Sequence, residues 1–202
     1  MQHEADYRNL KLHERRFEEL KQQLPLEAHG TLDRALALAE HAHTGQTRDE
    51  GDPYIIHPIR AANALMEHVH CKDASIIAAT LLHDVVEDSE VTLDDIRAQF
   101  GDHIATLVEG VTRDKEGGES KESEIQKIIG GSMDIRLIKA ADKLDNLISY
   151  QLRSDRGDRW KRHLTEARTL FLPLARSTAN QYLIDAMEEA YEQVPDKEME
   201  YQ

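Results

Sequence analysis

The stretch Ile76–Asp88 is the feature that most constrains how this chain can fold. It contains no Gly or Pro and is largely apolar until it ends in four functional side chains, His83, Asp84, Glu87 and Asp88. A run of this length is long for a strand and suits a helix. Residues three and four apart share one face of a helix, so the spacing predicts that Glu87 lies one turn beyond His83 and Asp84.

The charged groups at the end of this run require a partner. Burying three carboxylates and an imidazole costs free energy unless something neutralises them, and the flanking Leu81, Leu82, Val85 and Val86 indicate burial. A divalent cation would neutralise the cluster, because imidazole and carboxylate groups are both metal ligands. A helix C-terminus with a solvated acidic end is the alternative at this point.

The composition of the 202 residues favours one all-α domain. Hydrophobic residues make up 40% and aromatic residues 5%, and the length is enough for a sizeable core. The net charge of −14 argues against general nucleic-acid binding, and no apolar segment is long enough to cross a membrane. Cys71 is the single cysteine, which excludes an internal disulfide and fits a reducing cytoplasm. The sequence does not decide the oligomeric state.

The pattern of apolar residues, Gly and Pro predicts a succession of helices. An amphipathic helix over residues 1–24 ends at Pro25, and a second helix begins with Thr31 as its N-cap. The loop 44–58 leads into a helix with Pro58 at its first position, which places His57 at the cap. The remaining predicted helices, identified by apolar periodicity and turn residues, cover 58–69, 73–88, 92–100, 102–112, 123–129, 134–151, 160–176 and 179–193.

The predicted helix over 134–151 carries a second group of polar residues. Asp142 follows two alanines on an apolar face, and Lys139, Lys143 and Asn146 surround it at helical spacing. An acidic residue on a helix usually faces water, so this group alone is a weak signal. It becomes informative in combination with the histidine–aspartate pair of the other helix.

Three short segments together resemble a known signature. His57 in Tyr-Ile-Ile-His-Pro, the pair His83-Asp84, and Asp142 in Lys-Ala-Ala-Asp-Lys-Leu-Asp-Asn look like the H…HD…D signature of the HD phosphohydrolase superfamily. More narrowly, residues 35–175 are similar to the ppGpp hydrolase domain of bifunctional RelA/SpoT-type enzymes and to the small standalone alarmone hydrolases. Because no synthetase domain follows in this sequence, we expect the standalone form to be the closer comparison.

The resemblance implies an all-α HD-domain fold and a bound divalent metal. The implied metal is Mn²⁺, and ligand type alone leaves Fe²⁺ and Zn²⁺ as alternatives. The implied ligands, all within the three segments, are His57, His83, Asp84 and Asp142.

Glu87 and Asp88 match the acidic pair that orients or deprotonates the attacking water in this family. Their helical offset of one turn from the implied ligands is where a general base is expected. The implied reaction is hydrolysis of the 3′-diphosphate of ppGpp or pppGpp, which releases pyrophosphate and GDP or GTP.

The resemblance also suggests residues that bind the nucleotide. Arg48 matches an arginine that stacks on the base, and Asn146 matches a nucleotide-binding asparagine. Lys139, Lys143 and Lys121 are candidates for phosphate contacts. A solvated side chain is the alternative for each of these five residues.

On this interpretation the chain divides into three parts. Residues 1–28 are an accessory amphipathic helix, 29–194 form the HD hydrolase domain, and 195–202 are a disordered tail. The expected partner is a small nucleotide substrate, with no nucleic acid and no membrane involved.

Two positions depart from the family pattern. Asp49 stands where a lysine usually follows the base-stacking arginine, and Asp145 stands where a histidine or tyrosine is common. The departures leave the base open, so an adenine alarmone such as ppApp remains a candidate substrate. Two rival functions also remain: an HD phosphohydrolase acting on another nucleotide, such as NADPH or a nucleoside monophosphate, and an inactive regulatory module that binds an alarmone.

Overall fold

The computed structural model describes residues 2–114, 117–152 and 157–192. Within these residues the regular structure is helical, with a single isolated bridge between Thr47 and Pro53, and this confirms the predicted all-α class. The helices, numbered in chain order, are α1 Gln2–Tyr7, α2 Leu10–Lys21, α3 Leu26–Ala42, α4 Ile56–Glu67, α5 Ala74–Leu81, α6 Val85–Asp88, α7 Leu93–Phe100, α8 Asp102–Val111, α9 Lys121–Ile129, α10 Met133–Gln151, α11 Gly157–Glu166, a π-helix Ala167–Phe171, α12 Leu172–Ser177 and α13 Gln181–Glu192.

The N-terminal segment forms two helices, so the prediction of one helix over residues 1–24 was wrong. The chain leaves the helix at Arg8 and Asn9, and the Asn9 side chain accepts a hydrogen bond from the Leu12 N–H at 3.1 Å. This bond satisfies a backbone donor that has no helical partner, so a new helix begins here. Phe17 of α2 is fully buried, and α2 packs along α4.

The predicted start of α3 at Thr31 was also wrong, because the helix begins five residues earlier at Leu26. The Thr31 hydroxyl accepts a hydrogen bond from Arg34 at 3.3 Å and does not cap a backbone N–H. The earlier first turn buries Ala28, so the longer helix adds apolar contact with the core.

The helix α4 begins at Ile56, two residues before the predicted first position at Pro58. Pro58 lies in the first turn, where a backbone N–H has no helical acceptor, so the proline removes no hydrogen bond there. His57 is therefore inside the first turn and not at the cap, and its side chain is buried.

The predicted helix over 73–88 is interrupted at Leu82–Asp84, which separates α5 from α6. The His83 side chain explains the break, because its Nδ1 donates to the Thr80 carbonyl oxygen at 2.7 Å. A side chain that bonds to a nearby carbonyl offers the backbone an alternative to the helical ladder. The turn directs the His83 and Asp84 side chains into the same space.

Other helix boundaries follow local sequence signals. Thr92 and Asp95 form the predicted capping box of α7, and Gly101 ends this helix at φ +85°, a conformation that favours glycine. The helix α9 begins at Lys121 after Ser120 as its N-cap, slightly before the predicted start near Ser123.

The helix α10 lies between two apolar clusters. On one side Ile138 and Ala141 belong to a cluster built from α2–α8. On the other side Ala140, Leu144 and Leu147 pack into a cluster with α9, α12, α13 and the π-helix. This central helix also makes extensive contact with α4, and their junction with the turn after α5 is where the polar segments of the sequence meet.

The C-terminal part departs from a single helix over 160–176. The π-helix Ala167–Phe171 precedes Pro173, which has no N–H to donate to the preceding turn. The widened turn accommodates the proline without ending the helical path. The predicted tail at 195–202 lies outside the described residues, and the domain limits at 28 and 29 stay predictions. Among the residues described, no helix has the length and hydropathy that crossing a membrane requires.

Candidate metal centre and its cavity

Three helical segments bring the four predicted ligands into one place. His57 comes from the first turn of α4, His83 and Asp84 from the turn between α5 and α6, and Asp142 from the middle of α10. The side chains of His57, His83 and Asp142 are almost completely buried, and that of Asp84 is 15% exposed. The four residues are far apart in the sequence, and the fold brings them together beside a cavity that Asp84 and Asp142 line.

The ligand atoms lie close together. The Nε2 atoms of His57 and His83 are 3.1 Å apart, and Asp142 Oδ1 lies 3.4 Å from the first and 3.8 Å from the second. Asp84 Oδ2 lies 3.7 Å from His57 Nε2 and 3.2 Å from His83 Nε2. His57, His83 and Asp142 each offer an atom within 4.8 Å of the others, a spacing that a single metal ion could bridge.

The outer nitrogens of both imidazoles face hydrogen-bond acceptors. His57 Nδ1 lies 2.6 Å from Asp145 Oδ2, and His83 Nδ1 lies 2.7 Å from the Thr80 carbonyl oxygen. An imidazole that donates from Nδ1 is a neutral ligand through Nε2. Two Nε2 atoms at 3.1 Å repel each other unless one holds a proton or both face a cation. A divalent cation therefore fits the residues present.

The carboxylates of the centre attract positive charge. Burial alone would lower the pKa of His83, but the charges of Asp84 and Asp142 outweigh it and raise the pKa to about 9. Burial would raise the pKa of Asp84, yet the neighbouring His83 and His57 hold it well below its usual range. Both effects favour cationic charge at His83 Nε2, which a metal ion would supply in place of a proton.

The predicted acidic pair lies on α6, at the wall of the same cavity. Glu87 Oε1 accepts a hydrogen bond from the Arg113 backbone N–H at 2.9 Å, which fixes the carboxylate. Asp88 Oδ2 accepts from the Tyr54 hydroxyl at 3.3 Å, and the same hydroxyl donates to Asp84 Oδ2 at 2.6 Å. Tyr54 thus connects Asp88 with the candidate ligand Asp84, a role that its position in the sequence did not reveal.

The cavity has a volume of about 230 Å³ and is lined by charged side chains of both signs. Its carboxylates slightly outnumber its cationic groups, so an anionic substrate would not be attracted without added positive charge. The lining residues are Tyr54, Asp84, Glu87, Asp88, Arg113, Lys121, Glu124, Lys139, Asp142, Lys143 and Asn146.

The three candidate phosphate-binding lysines differ in their surroundings. Lys139 is buried, and its Nζ lies 2.6 Å from Glu124 Oε1 and 3.0 Å from the Val111 carbonyl oxygen. Lys143 Nζ lies 3.0 Å from Asp142 Oδ2 and is more exposed. Lys121 forms an ion pair with Glu166. Lys139 is therefore tied into the wall, whereas Lys143 and Lys121 are nearer to solvent.

The two candidate nucleotide-binding residues contact each other. Arg48 Nη2 donates to Asn146 Oδ1 at 2.9 Å, and Asn146 Nδ2 donates to Asp142 Oδ1 at 2.6 Å. The Arg48 guanidinium lies 5.9 Å from the centre of the Tyr54 ring. A hydrogen-bonded path therefore connects the loop that carries Arg48 with a candidate metal ligand. Asp49, next to it, is exposed.

Asp145 makes more contacts around the candidate metal centre than the sequence predicts. The sequence shows that Asp145 departs from the family pattern but does not predict its contact with His57. Asp145 is buried between His57 and Arg60, and Tyr7 of α1 also donates a hydrogen bond to it. Tyr7 and Asp145 are 138 positions apart, and no local sequence pattern connects residues at that distance.

Comparison with known proteins identifies the family to which this chain belongs. The family described as HD domain matches residues 35–178. The chain is 39% identical over 152 residues to the guanosine-3′,5′-bis(diphosphate) 3′-pyrophosphohydrolase of Vibrio cholerae, which covers 71% of this chain and 21% of that protein. It is 37% identical over 187 residues to the bifunctional (p)ppGpp synthase/hydrolase SpoT of Escherichia coli, covering 86% of this chain and 26% of that protein. The chain thus spans about a quarter or less of the length of these relatives.

A solved structure is similar to this chain over most of the length of both proteins. It belongs to a protein described as a metazoan ortholog of SpoT that hydrolyses ppGpp and has a role in starvation responses. The TM-score is 0.72 at 30% identity, and the alignment covers 81% of this chain and 94% of that one. Together with the family match over residues 35–178, this establishes that the chain belongs to the HD domain family.

Proposed function

We propose that this protein is a metal-dependent hydrolase of the 3′-diphosphate of (p)ppGpp or of a related purine alarmone such as ppApp. The observation that carries the proposal is the pair of buried Nε2 atoms of His57 and His83, set beside Asp84 and Asp142, which line a charged cavity. The names of its relatives support this substrate, since they include ppGpp 3′-pyrophosphohydrolases.

His57, His83, Asp84 and Asp142 would hold the metal ion. We propose Mn²⁺, because a mixed set of imidazole and carboxylate ligands suits it, with Fe²⁺ and Zn²⁺ as alternatives. When bound, the ion would polarise a phosphoryl oxygen and lower the pKa of a water molecule.

In this proposal Glu87 and Asp88 act on the attacking water. Glu87 is held by the Arg113 backbone N–H, so one of its oxygens keeps a fixed position while the carboxylate faces the cavity. Such a carboxylate can orient the water and accept its proton. The bond between the 3′ oxygen and phosphorus breaks, the water oxygen ends in pyrophosphate, and the 3′ oxygen leaves as the hydroxyl of GDP or GTP.

Nucleotide binding in this proposal uses the loop and α10 together. The planar guanidinium of Arg48 would stack on the purine, and its bond to Asn146 keeps it near the centre. Lys143 and Lys121 would contact the phosphates, and Lys121 would exchange its pairing with Glu166 for a phosphate oxygen. Lys139 would act mainly through its charge, because its ammonium group is bound to Glu124 and the Val111 carbonyl.

The cavity needs the metal for binding as well as for chemistry. Its lining has more carboxylates than cationic groups, and the chain as a whole has a net charge of −14. Two added positive charges would reverse the local balance and attract an anionic nucleotide. A reducing cytoplasm is the proposed compartment, in keeping with the single cysteine.

One assay tests the function and separates it from its rivals. The purified protein is incubated with Mn²⁺ and ppGpp, ppApp, NADPH or nucleoside monophosphates, and pyrophosphate and orthophosphate are measured separately. We expect pyrophosphate from ppGpp, none after chelation of the metal, and none from a matched Asp84→Ala preparation. Orthophosphate from another nucleotide alone would indicate a different HD phosphohydrolase. Nucleotide binding without turnover would indicate a regulatory module.

A further inference from the structure

Asp145 is a buried carboxylate directly behind the candidate metal ligand His57. Its Oδ2 accepts a hydrogen bond from His57 Nδ1 at 2.6 Å. Arg60 holds both oxygens, with Nε to Oδ1 at 2.7 Å and Nη2 to Oδ2 at 3.0 Å. The three residues are 5%, 1% and 6% exposed in the order Asp145, His57, Arg60. A carboxylate held by a two-point contact has little freedom to rotate, so it fixes the imidazole in front of it.

Tyr7 closes this group from the N-terminal helix α1. Its hydroxyl donates to Asp145 Oδ1 at 2.6 Å, and its backbone carbonyl oxygen accepts from Arg60 Nη1 at 3.0 Å. The Arg60 guanidinium also lies 3.9 Å from the centre of the Tyr7 ring. Tyr7 precedes residue 35, where the match to the HD domain family begins, so this contact is added from outside the matched region.

The charges of Asp145 and Arg60 cancel, so together they hold the His57 imidazole without adding a net charge beside it. The negative charge of Asp145 is balanced within the same buried group by Arg60, whose Nε lies 2.7 Å from Asp145 Oδ1. Ser149 Oγ accepts a further hydrogen bond from Arg60 Nη2 at 2.9 Å, so the guanidinium donates to Asp145, Tyr7 and Ser149 at once.

We propose that Asp145, held by Arg60 and Tyr7, is a positioning residue for the metal ligand His57. An imidazole can carry its proton on either nitrogen, and with the proton on Nε2 it cannot bind a metal there. Asp145 keeps the proton on Nδ1 and directs Nε2 toward His83 and Asp142. The N-terminal helix is then part of the metal centre through Tyr7. This inference rests on the metal site proposed above and not on which nucleotide is hydrolysed.

The test measures Mn²⁺ binding to metal-free protein by titration calorimetry, with no nucleotide present. We expect Asp145→Asn to weaken Mn²⁺ binding by about 10- to 100-fold, the range typical of partners behind a metal-bound histidine. Because Asp145→Asn leaves Arg60 without its charge partner and could unfold the protein, Tyr7→Phe is the second variant. It removes only the hydroxyl and should weaken binding about two- to tenfold, the effect of one hydrogen bond.

Arg16→Gln is the matched control for Tyr7→Phe. Arg16 of the next helix, α2, forms hydrogen bonds to Glu67 of α4 and to Glu19, and not to Asp145. If the N-terminal helices only stabilise the domain, Arg16→Gln and Tyr7→Phe should lower the melting temperature and Mn²⁺ affinity alike. We expect only Tyr7→Phe to change Mn²⁺ affinity.

A second measurement reads the imidazole itself. ¹⁵N-labelled histidine spectra should place the His57 proton on Nδ1 in the wild type and show a loss of that preference in Asp145→Asn. Wild-type affinity in both folded variants, with an unchanged His57 spectrum, would overturn the positioning role. Absence of Mn²⁺ binding by the wild type would instead overturn the metal site and this inference with it, whereas Mn²⁺ binding without ppGpp turnover would overturn only the proposed function.

Discussion

The two sides of α10 are built on opposite principles. The side that packs against α9, α12 and α13 buries Ala140, Leu144 and Leu147, which contribute apolar area and need no partner. The side that faces α4 and the turn after α5 buries Asp142 and Asp145 next to the apolar Ile138 and Ala141. Each of these carboxylates needs several partners before burial is tolerable, because an unpaired buried charge costs several kcal/mol.

The apolar side of α10 therefore contributes mainly to the stability of the fold, whereas the polar side forms the candidate metal centre. On the polar side each carboxylate is held by cations or imidazoles, and the partners come from α4, the turn and α10 itself. The apolar side needs only volume and hydrophobicity. Substitutions on the polar side should therefore act first on metal and substrate, and substitutions on the apolar side should act first on stability.

The largest expected effect comes from Asp142→Ala on the polar side. Asp142 Oδ1 is the carboxylate oxygen nearest to His57 Nε2, and its loss removes one of the three atoms that could share an ion. We expect Mn²⁺ to be lost and turnover to fall on the order of 10³–10⁴-fold, since a catalytic metal supplies several kcal/mol to the transition state. Metal content by mass spectrometry and initial rates check this. A variant that retains stoichiometric Mn²⁺ would remove Asp142 from the ligand set.

The next largest effect is expected from Glu87→Gln, which tests whether Glu87 acts as a general base or as a metal ligand. Glu87→Gln keeps an oxygen that can accept from the Arg113 N–H, so the side chain should remain in place. The amide cannot accept a proton from water, and we expect turnover to fall by roughly 10²–10⁴-fold while Mn²⁺ affinity stays near the wild-type value. Loss of metal as complete as in Asp142→Ala would show that Glu87 is a ligand.

Leu147→Ala tests the apolar side of the same helix. Leu147 is fully buried, so truncation leaves a cavity and should cost about 2–5 kcal/mol of unfolding free energy. Chemical denaturation measures this cost. Mn²⁺ stoichiometry and kcat of the folded protein should stay near the wild-type values, and a loss of metal equal to that of Asp142→Ala would mean that the two sides are not separable.

The sequence predicts features that depend on neighbouring residues, and it does not predict features that depend on contacts between distant helices. The capping box of α7 and the ligand segments are local patterns, and local patterns are visible in a single sequence. The break between α5 and α6 was not predicted, because it depends on the direction of the His83 ring, which points toward the Thr80 carbonyl. The group formed by Asp145, Arg60 and Tyr7 was missed because it joins α1, α4 and α10, and only the folded chain brings these helices together.

The smallest expected effect concerns Asp49, in the loop that carries Arg48, and tests how far the polar region around Asp142 and Asp145 extends from α10. Asn146 of α10 binds Arg48, so the region extends at least to this guanidinium, and Asp49 is the exposed residue that follows. Stacking by Arg48 does not read the edge of the base, whereas a lysine at position 49 could donate to guanine O6 and N7. An ionised aspartate can only accept hydrogen bonds.

We therefore expect the wild type to hydrolyse ppApp within about tenfold of ppGpp, a difference under roughly 1.4 kcal/mol. We expect Asp49→Lys to shift the ratio of the two kcat/KM values toward ppGpp. Both substrates have the same phosphate charge, so the added positive charge cancels in this ratio and only base recognition changes it. Asp49→Met is the matched control, because it removes the carboxylate without adding a donor. An identical ratio in all three proteins would place Asp49 outside the site and end the polar region at Arg48.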